Sequence, residues 1–258
     1  MLLAYEDSGT GPAVVLLHGF PLDRTMWAAQ RVALERNYRV VTPDLRGHGA
    51  SPGPDGEWSI EAMADDVLET LDAAALTQPV VLGGLSMGGY VALAAVRKAP
   101  ERFRGLILLD TRAGSDSTDA AKGRRDAADG MLTGEDVRRF AEGMLPKLFS
   151  PVTCERRPER ISPVRAVIEG TRPRTVAAAL RAMAARPDRT GELSEIGVPT
   201  LIVVGADDLI TPPEVAKAMA GAVKGSTLVV VPEAGHLAPW ENPEVVNPAI
   251  LGFLDALS

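Results

Sequence analysis

Six short apolar runs, each leading into a stretch of helical character, constrain this chain more than any other feature of its sequence. They are Ala13–Leu17 (AVVLL), Arg39–Thr42 (RVVT), Pro79–Leu82 (PVVL), Gly105–Leu109 (GLILL), Thr200–Val204 (TLIVV) and Thr227–Val231 (TLVVV). A strand with one wet face alternates apolar and polar residues. Runs without alternation mark strands buried on both faces of a parallel sheet. Leu2–Glu6 is a further candidate for an edge strand, ahead of the Ser8-Gly9-Thr10-Gly11-Pro12 turn. The helical stretches are Thr25–Arg36, Ser59–Ala75, Met87–Ala99, Pro213–Ala222 and Pro243–Ala256. Ser59 is placed to cap its helix, and Pro243 behind Asn242 has the pattern of an N-cap followed by a first-turn proline. Alternating β and α segments predict an α/β fold, a doubly wound and mostly parallel sheet. Ligands of such sheets bind beyond the carboxyl ends of the strands.

The alternation breaks once. From about Arg112 to Glu195 no strand is evident, and the segment is rich in Ala and Arg. Gly134–Phe149 and Arg174–Arg186 read as helical, and prolines at 146, 151, 158, 163, 173 and 187 cut the segment into pieces of a few turns. A plain crossover rarely takes ~80 residues. The expectation is therefore a helical lid, residues 112–195, inserted between strands of a core formed by residues 1–111 and 196–258.

Composition excludes several classes of function. Lys and Arg number 27 against 34 Asp and Glu, a net charge of −7, which argues against a sequence-independent grip on phosphate backbones. Cys154 is the single cysteine, so no intrachain disulfide forms, as fits a reducing compartment. No stretch approaches the ~20 apolar residues of a membrane span, and Met1–Asp7 lacks the basic head of a secretory signal. The expectation is a soluble cytoplasmic protein, monomer or homodimer, with a small-molecule partner and neither nucleic acid nor membrane.

The chemistry concentrates at Gly84-Leu85-Ser86-Met87-Gly88-Gly89, which follows an apolar run and opens a helix. This is the strand–turn–helix setting of a G-x-S-x-G nucleophile elbow. The bland alternative is a glycine-rich turn that only packs a helix against the sheet. A serine hydroxyl is a weak nucleophile until a base takes its proton, and that base is usually histidine. There are three. His236, in the loop after the last apolar run, is in place to be the base; His18 and His48 are read as structural residues that fix turns. The carboxylate that orients the base should follow Thr200–Val204, where Asp207 and Asp208 compete and position alone does not separate them. For the oxyanion, the donors should be the amides of Met87, at a helix N-terminus, and of Phe20, since Pro21 has no amide hydrogen.

With these motifs in order, the chain resembles the α/β-hydrolase superfamily over nearly its full length. The matching residues are His18-Gly19-Phe20-Pro21, Asp44-Leu45-Arg46-Gly47-His48-Gly49-Ala50-Ser51, Gly84 to Gly89, Gly205-Ala206-Asp207-Asp208 and Gly235-His236. The order Ser86, acid, His236 is the one that fold uses. In the superfamily the aspartate of G-x-x-D is the triad acid, which implies Asp208 here. The chain is most similar to small bacterial carboxylesterases, 3-oxoadipate enol-lactonases and cofactor-free perhydrolases. Pro21 to Trp27 resembles their oxyanion loop, and a proline after the oxyanion residue is frequent among the perhydrolases. The short N-terminus implies that the first strand of the eight-strand pattern is missing. Haloalkane dehalogenases resemble the chain but carry aspartate where Ser86 stands.

The resemblance thus implies a serine hydrolase of small carboxylic esters, with enol-lactone or C–C bond hydrolysis as the alternative and peracid formation as a side activity. A non-catalytic receptor on the same fold is the competing reading from another class. No H-E-x-x-H, G-x-G-x-x-G or P-loop occurs, so neither metal nor cofactor is expected. Phe20, Trp27, Met87, Leu237 and Trp240 flank the catalytic loops and are candidates for an apolar acyl pocket, with core packing an equal alternative for each. Met131, Met144, Leu145, Leu148 and Phe149 of the lid are further candidates. Arg124 and Arg125 could meet an acidic substrate or simply form a solvated helix face.

Overall fold

The computed structural model describes residues 1–53, 55–56 and 58–257; Ser258, the expected end of the core, lies outside them. Among the described residues, seven strands form one sheet. They are β1 (Tyr5–Ser8), β2 (Ala13–Leu17), β3 (Arg39–Pro43), β4 (Val80–Leu85), β5 (Phe103–Leu109), β6 (Thr200–Gly205) and β7 (Thr227–Val231), in the order β1-β3-β2-β4-β5-β6-β7. Every neighbouring pair is parallel except β1 with β3. The helices are α1 (Ala28–Leu34), α2 (Ile60–Ala73), α3 (Met87–Lys98), α4 (Thr118–Thr133), α5 (Val137–Leu148), α6 (Pro151–Arg156), α7 (Ile161–Gly170), α8 (Pro173–Ala184), α9 (Pro213–Ala222), α10 (Ala238–Glu241) and α11 (Pro243–Asp255).

The strand sequences follow from two separate cores. Along β2, Val14 and Leu16 enter one hydrophobic cluster while Val15 and Leu17 enter the other. Along β5 and β6 the split repeats: Leu106, Leu108, Ile202 and Val204 lie on one side, Ile107, Leu109, Leu201 and Val203 on the other. Side chains alternate across a strand, so a sheet covered on both faces needs apolar residues at every position. Ile60, Met63, Val67 and Leu71 of α2, with Val91 and its neighbours on α3, close one face. Leu34 of α1 and Val246, Ile250 and Leu254 of α11 close the other. The Ser59 hydroxyl caps α2 by accepting the Ala62 amide at 3.1 Å.

Several boundaries differ from expectation, each for a local reason. The edge strand starts at Tyr5, not Leu2, because the Leu3 and Ala4 amides donate to the hydroxyls of Thr70 (3.2 Å) and Ser51 (2.9 Å). β7 reads as a two-faced strand but is the sheet's edge, with Thr227 and Val230 exposed. Thr25–Arg36 splits into a 3₁₀ turn over Arg24–Trp27, capped by Asp23, and then α1. Asn242 does not cap α11; its amide group donates to the Pro232 carbonyl at 3.1 Å. Between β5 and β6 the chain is helical throughout, as α4 to α8. Here α4 was not anticipated: only Ala121, Ala128 and Met131 of its sixteen residues are buried, too sparse a stripe to read as amphipathic. It packs along α8. Pro146 lies inside α5 without ending it. No helix of the described residues is long and apolar enough to cross a membrane.

Candidate active site

Ser86 stands between β4 and α3 with φ 51° and ψ −111°, a left-handed conformation that costs a non-glycine residue strain. Its neighbours hold it there. The Ser86 amide donates to the Leu109 carbonyl at the end of β5 (3.0 Å), and the Thr111 hydroxyl donates to the Ser86 carbonyl (2.8 Å). The tight turn explains the flanking glycines. A Cβ on Gly84 would lie 2.2 Å from the Gly88 carbonyl oxygen, and one on Gly88 2.3 Å from that of Leu17.

Above the turn the structure brings three predicted residues into line. His236 Nε2 is 2.8 Å from Ser86 Oγ, and His236 Nδ1 is 2.9 Å from Asp208 Oδ2. Asp208 and His236 are 2% and 3% exposed. Asp208 Oδ1 accepts the amides of Ile210 (2.8 Å) and Thr211 (3.0 Å), and Oδ2 also accepts the Thr211 hydroxyl (2.6 Å). Burial pushes the Asp208 carboxyl up, but the hydrogen bonds from His236 and Thr211 outweigh it and hold the group below the usual carboxylate range. An ionised Asp208 keeps the proton on Nδ1 and the Nε2 lone pair toward Ser86. The other candidate, Asp207, is exposed, and its amide donates to the Ala234 carbonyl (2.9 Å). Thr211 escaped the sequence reading; its signal was the Asp-x-x-Thr spacing ahead of Pro212-Pro213, where a hydroxyl can return to a carboxylate three residues earlier.

The two expected oxyanion donors belong to the residue after Ser86 and to the residue after Gly19, on which a Cβ would lie 3.6 Å from Ser86 Cβ. Met87 is the first residue of α3, so its amide is one of the helix's unsatisfied N-terminal donors. Phe20 leads into a cis peptide with Pro21, within a turn closed by the Leu22 amide on the Gly19 carbonyl (2.9 Å). Among the described residues, the Phe20 amide donates to no protein acceptor. The Phe20 ring meets His48 and Phe140 edge-on, with centroids 6.4 and 6.1 Å away.

His18 and His48 sit beneath, both fully buried. His18 Nδ1 pairs with the Gly19 carbonyl (2.9 Å) and its Nε2 accepts the Leu45 amide (2.8 Å), which makes it a neutral ring pinning two loops. Burial lowers His18 to about 4; burial and the neighbouring His18 lower His48 to about 3. In the unfolded chain both would titrate near 6.5. The unfolded chain therefore binds more protons below that pH. Stability present above about pH 6.5 is lost progressively as pH falls toward these depressed values, by up to ~1.4 kcal/mol per pH unit for each ring. Raised carboxyls at Asp110 and Asp44 act in the opposite sense over this range, so the ring contribution is read by difference: the fall in urea midpoint from pH 7 to pH 4.5 is expected to be smaller in His48→Gln than in wild type, and an equal change in the two would contradict a buried neutral ring.

The pocket candidates divide. Trp27 is fully buried in the same hydrophobic cluster as Leu22, Met26 and Leu34. Leu237 is also buried, and its carbonyl accepts the amides of Trp240 and Glu241 (2.8 and 2.9 Å). Trp240 is half-buried and donates its indole N–H to the Arg160 carbonyl (2.9 Å). Met131, Leu145, Leu148 and Phe149 belong to the core. Phe140 and Met144, one turn apart on α5, are half-buried and pack against both hydrophobic clusters. Of these two, the sequence reading found only Met144. Arg124 is tied to Asp116 (2.7 Å). Arg125 instead lines a cleft of about 1150 Å³ together with Trp58, Arg172, Arg174 and Arg181.

Comparison with known proteins gives the family. Residues 14–249 match the model of the alpha/beta hydrolase family. A thermophilic esterase from Thermogutta terrifontis, solved with malate bound, is 48% identical and superposes with a TM-score of 0.96 over 99% of this chain and 93% of its own. The enol-lactonase from Burkholderia xenovorans is 30% identical with a TM-score of 0.91, over 98% of this chain and 96% of its own. BpoC of Mycobacterium tuberculosis, whose name describes a non-heme bromoperoxidase, is 30% identical over 97% of both chains.

Proposed function

The chain belongs to the alpha/beta hydrolase family, and from that premise we propose that it is a serine hydrolase that cleaves small carboxylic esters, with residues 112–195 as its lid. The observation that carries this reading is the unbroken line Ser86 Oγ, His236 Nε2, His236 Nδ1, Asp208 Oδ2, with contacts of 2.8 and 2.9 Å.

Ser86 Oγ attacks the ester carbonyl as His236 Nε2 takes its proton. The oxygen that becomes negative is held by the Phe20 and Met87 amides, and the imidazolium is stabilised by Asp208. His236 gives the proton to the departing alcohol, leaving an acyl-Ser86 ester. Water then attacks that ester, losing its proton to His236. Collapse releases the acid and returns the proton to Ser86 Oγ.

Phe140 meets Phe20 edge-on and, like Met144, is half-buried against both hydrophobic clusters, and on this reading the pair is the wall along which an acyl chain would run. A p-nitrophenyl ester series from acetate to dodecanoate tests the reading. The expected result is a maximum at short chains. Phe140→Ala, which opens the wall, is expected to move the optimum to longer chains by two or more carbons while acetate changes little. No turnover of any ester by a protein whose Ser86 still reacts with a fluorophosphonate would pass first place to the second reading.

That second reading takes an enol-lactone, or a C–C bond beside a ketone, at the same serine. The cleft lined by Arg125, Arg172, Arg174 and Arg181 favours it, since an acid-bearing substrate needs cations nearby, although Asp55 and Asp129 line it too and Asp129 pairs with Arg181 at 2.6 Å. The cleft adjoins the oxyanion loop: Arg172 and Thr175 both donate to the Gly47 carbonyl (3.2 and 3.1 Å), beside the His48 that packs on Phe20. Rates on 3-oxoadipate enol-lactone, a vinylogous diketone and an aryl ester separate the two. Peracid formation is a side activity that rests on Pro21 and on the likeness to BpoC; unchanged acetate-plus-peroxide activity in Pro21→Leu would remove the proline argument.

A further inference from the structure

Two more buried carboxyl groups bracket the base without touching it. Asp110, directly after β5, is fully buried and has a left-handed φ of 43°. Its Oδ1 accepts the amide of Gly205, the last residue of β6, at 2.8 Å, and its Oδ2 accepts the amide of Ala238, two residues after His236, at 3.1 Å. Glu241, equally buried, accepts on Oε1 the amide of Gly235, the residue before His236, at 2.7 Å. Its Oε2 accepts the amide of Ser150, at the head of α6, at 2.8 Å. Among the described residues neither carboxyl forms a salt bridge. Burial, and then the charge of Asp208, push the Asp110 carboxyl well above the usual range. Such groups are costly to bury without a cation, and each spends one acceptor on an amide beside His236 and the other on a separate segment.

We propose that Asp110 and Glu241 are positioning residues for the reaction described above. Asp110 ties the acid-bearing turn to the base-bearing turn, and Glu241 ties the base-bearing turn to the helical segment. The assignment rests on the reading of Ser86, His236 and Asp208 as the catalytic line. The connections are short. Asp208 donates its amide to the Gly205 carbonyl (3.2 Å), so Asp110 holds the amide side, and Asp208 hangs from the carbonyl side, of the same residue. The amides of Ala206 and Asp207 donate to the carbonyls of Val231 and Ala234 (2.8 and 2.9 Å), stitching the two turns edge to edge. A Cβ on Gly235 would lie 2.8 Å from the backbone at Phe149 and Ser150, so the helical segment presses directly on the residue before the base. His236 is thus clamped on its N-terminal side by Glu241 and on its C-terminal side by Asp110.

The test uses Asp110→Asn and Glu241→Gln, which keep size and one acceptor oxygen but turn an NH₂ toward the second amide. Reactive sites are counted by fluorophosphonate labelling, so that misfolded protein does not enter the rate. The expected result is a fall in kcat per labelled site of ~10- to 100-fold, the size of effect that small misplacements of a reacting group produce, with KM for p-nitrophenyl acetate within about threefold. Glu241→Asp, which keeps the carboxylate but is one methylene too short to hold both amides, carries the test if a carboxamide variant does not fold; the same fall is expected. A wild-type kcat per labelled site, with only Tm or the labelled fraction reduced, would overturn the proposal and leave the two residues purely structural. Ser86→Ala separates the assignments. Activity retained there defeats the serine reading itself, whereas an inactive Ser86→Ala beside unchanged per-site rates in the carboxamide variants defeats the positioning role alone.

Discussion

Ser86→Ala is expected to lower kcat on a short p-nitrophenyl ester by about 10⁴- to 10⁶-fold, the range seen when a nucleophile acting as part of a unit is removed. The loss comes from a single atom. Without Oγ, His236 Nε2 loses the donor that lies 2.8 Å away, and only water can attack the carbonyl. The Phe20 and Met87 amides remain, so a residual ~10³-fold advantage over water is expected. The fold should survive. Alanine at φ 51° is no more strained than the serine it replaces, and the backbone bonds to Leu109 and Thr111 do not use the side chain. Tm should therefore stay within a few degrees. His236→Ala is expected to cost a similar factor, and the double variant little more than either single one, because the pair works as one unit. Near-wild-type turnover in Ser86→Ala would falsify the serine mechanism.

What the sequence disclosed, and what it withheld, follows from the range of each interaction. The β2, β5 and β6 runs were legible because burial on both faces leaves an unbroken apolar string. The same string in β7 misled, because nothing in TLVVV says whether a neighbour lies on its far side, and the structure puts it at the edge. Ser86, with its glycines, was legible because the elbow is built within one turn of chain. His236 was legible from its place in the loop after the last apolar run, with only two other histidines to weigh. Asp110 and Glu241 left no such trace. Each grips amides supplied by distant segments, from 95 and 128 residues away for Asp110 and from 91 for one arm of Glu241. A lone acidic residue after an apolar run carries no pattern of that kind. Phe140 was missed for a related reason: its partner Phe20 lies in a loop far along the chain, so only the tertiary fold sets the two rings edge to face. Trp27, an aromatic beside the oxyanion loop in sequence, belongs to a buried core cluster. Nearness along the chain does not settle which way a side chain turns.

The choice between neighbouring aspartates can be made decisive. Asp208→Asn is expected to lower kcat by about 10⁴-fold, the cost of holding a catalytic imidazole in the wrong tautomer, while Asp207→Asn stays within about threefold of wild type. The argument lies in the hydrogen bonds around the carboxylate. Oδ1 of Asp208 accepts two backbone amides, Ile210 and Thr211, so an asparagine must keep its oxygen there. Its NH₂ is then forced into the place of Oδ2, facing His236 Nδ1 at 2.9 Å. A donor at that point favours an Nδ1 lone pair and moves the ring proton to Nε2. Nε2–H can no longer accept the Ser86 proton, although every heavy atom keeps its place. The Thr211 hydroxyl cannot repair this. It lies 2.6 Å from Oδ2 and 3.3 Å from Nδ1, so by rotating to accept from the new NH₂ it can satisfy the substitution, but it leaves the tautomer wrong. The variant should thus fold, label slowly with a fluorophosphonate and turn over little. Asp207 is exposed and joins the turn through its backbone amide, which an asparagine retains. Equal losses in the two variants would show that the turn's integrity, not the carboxylate facing His236, is what activity requires.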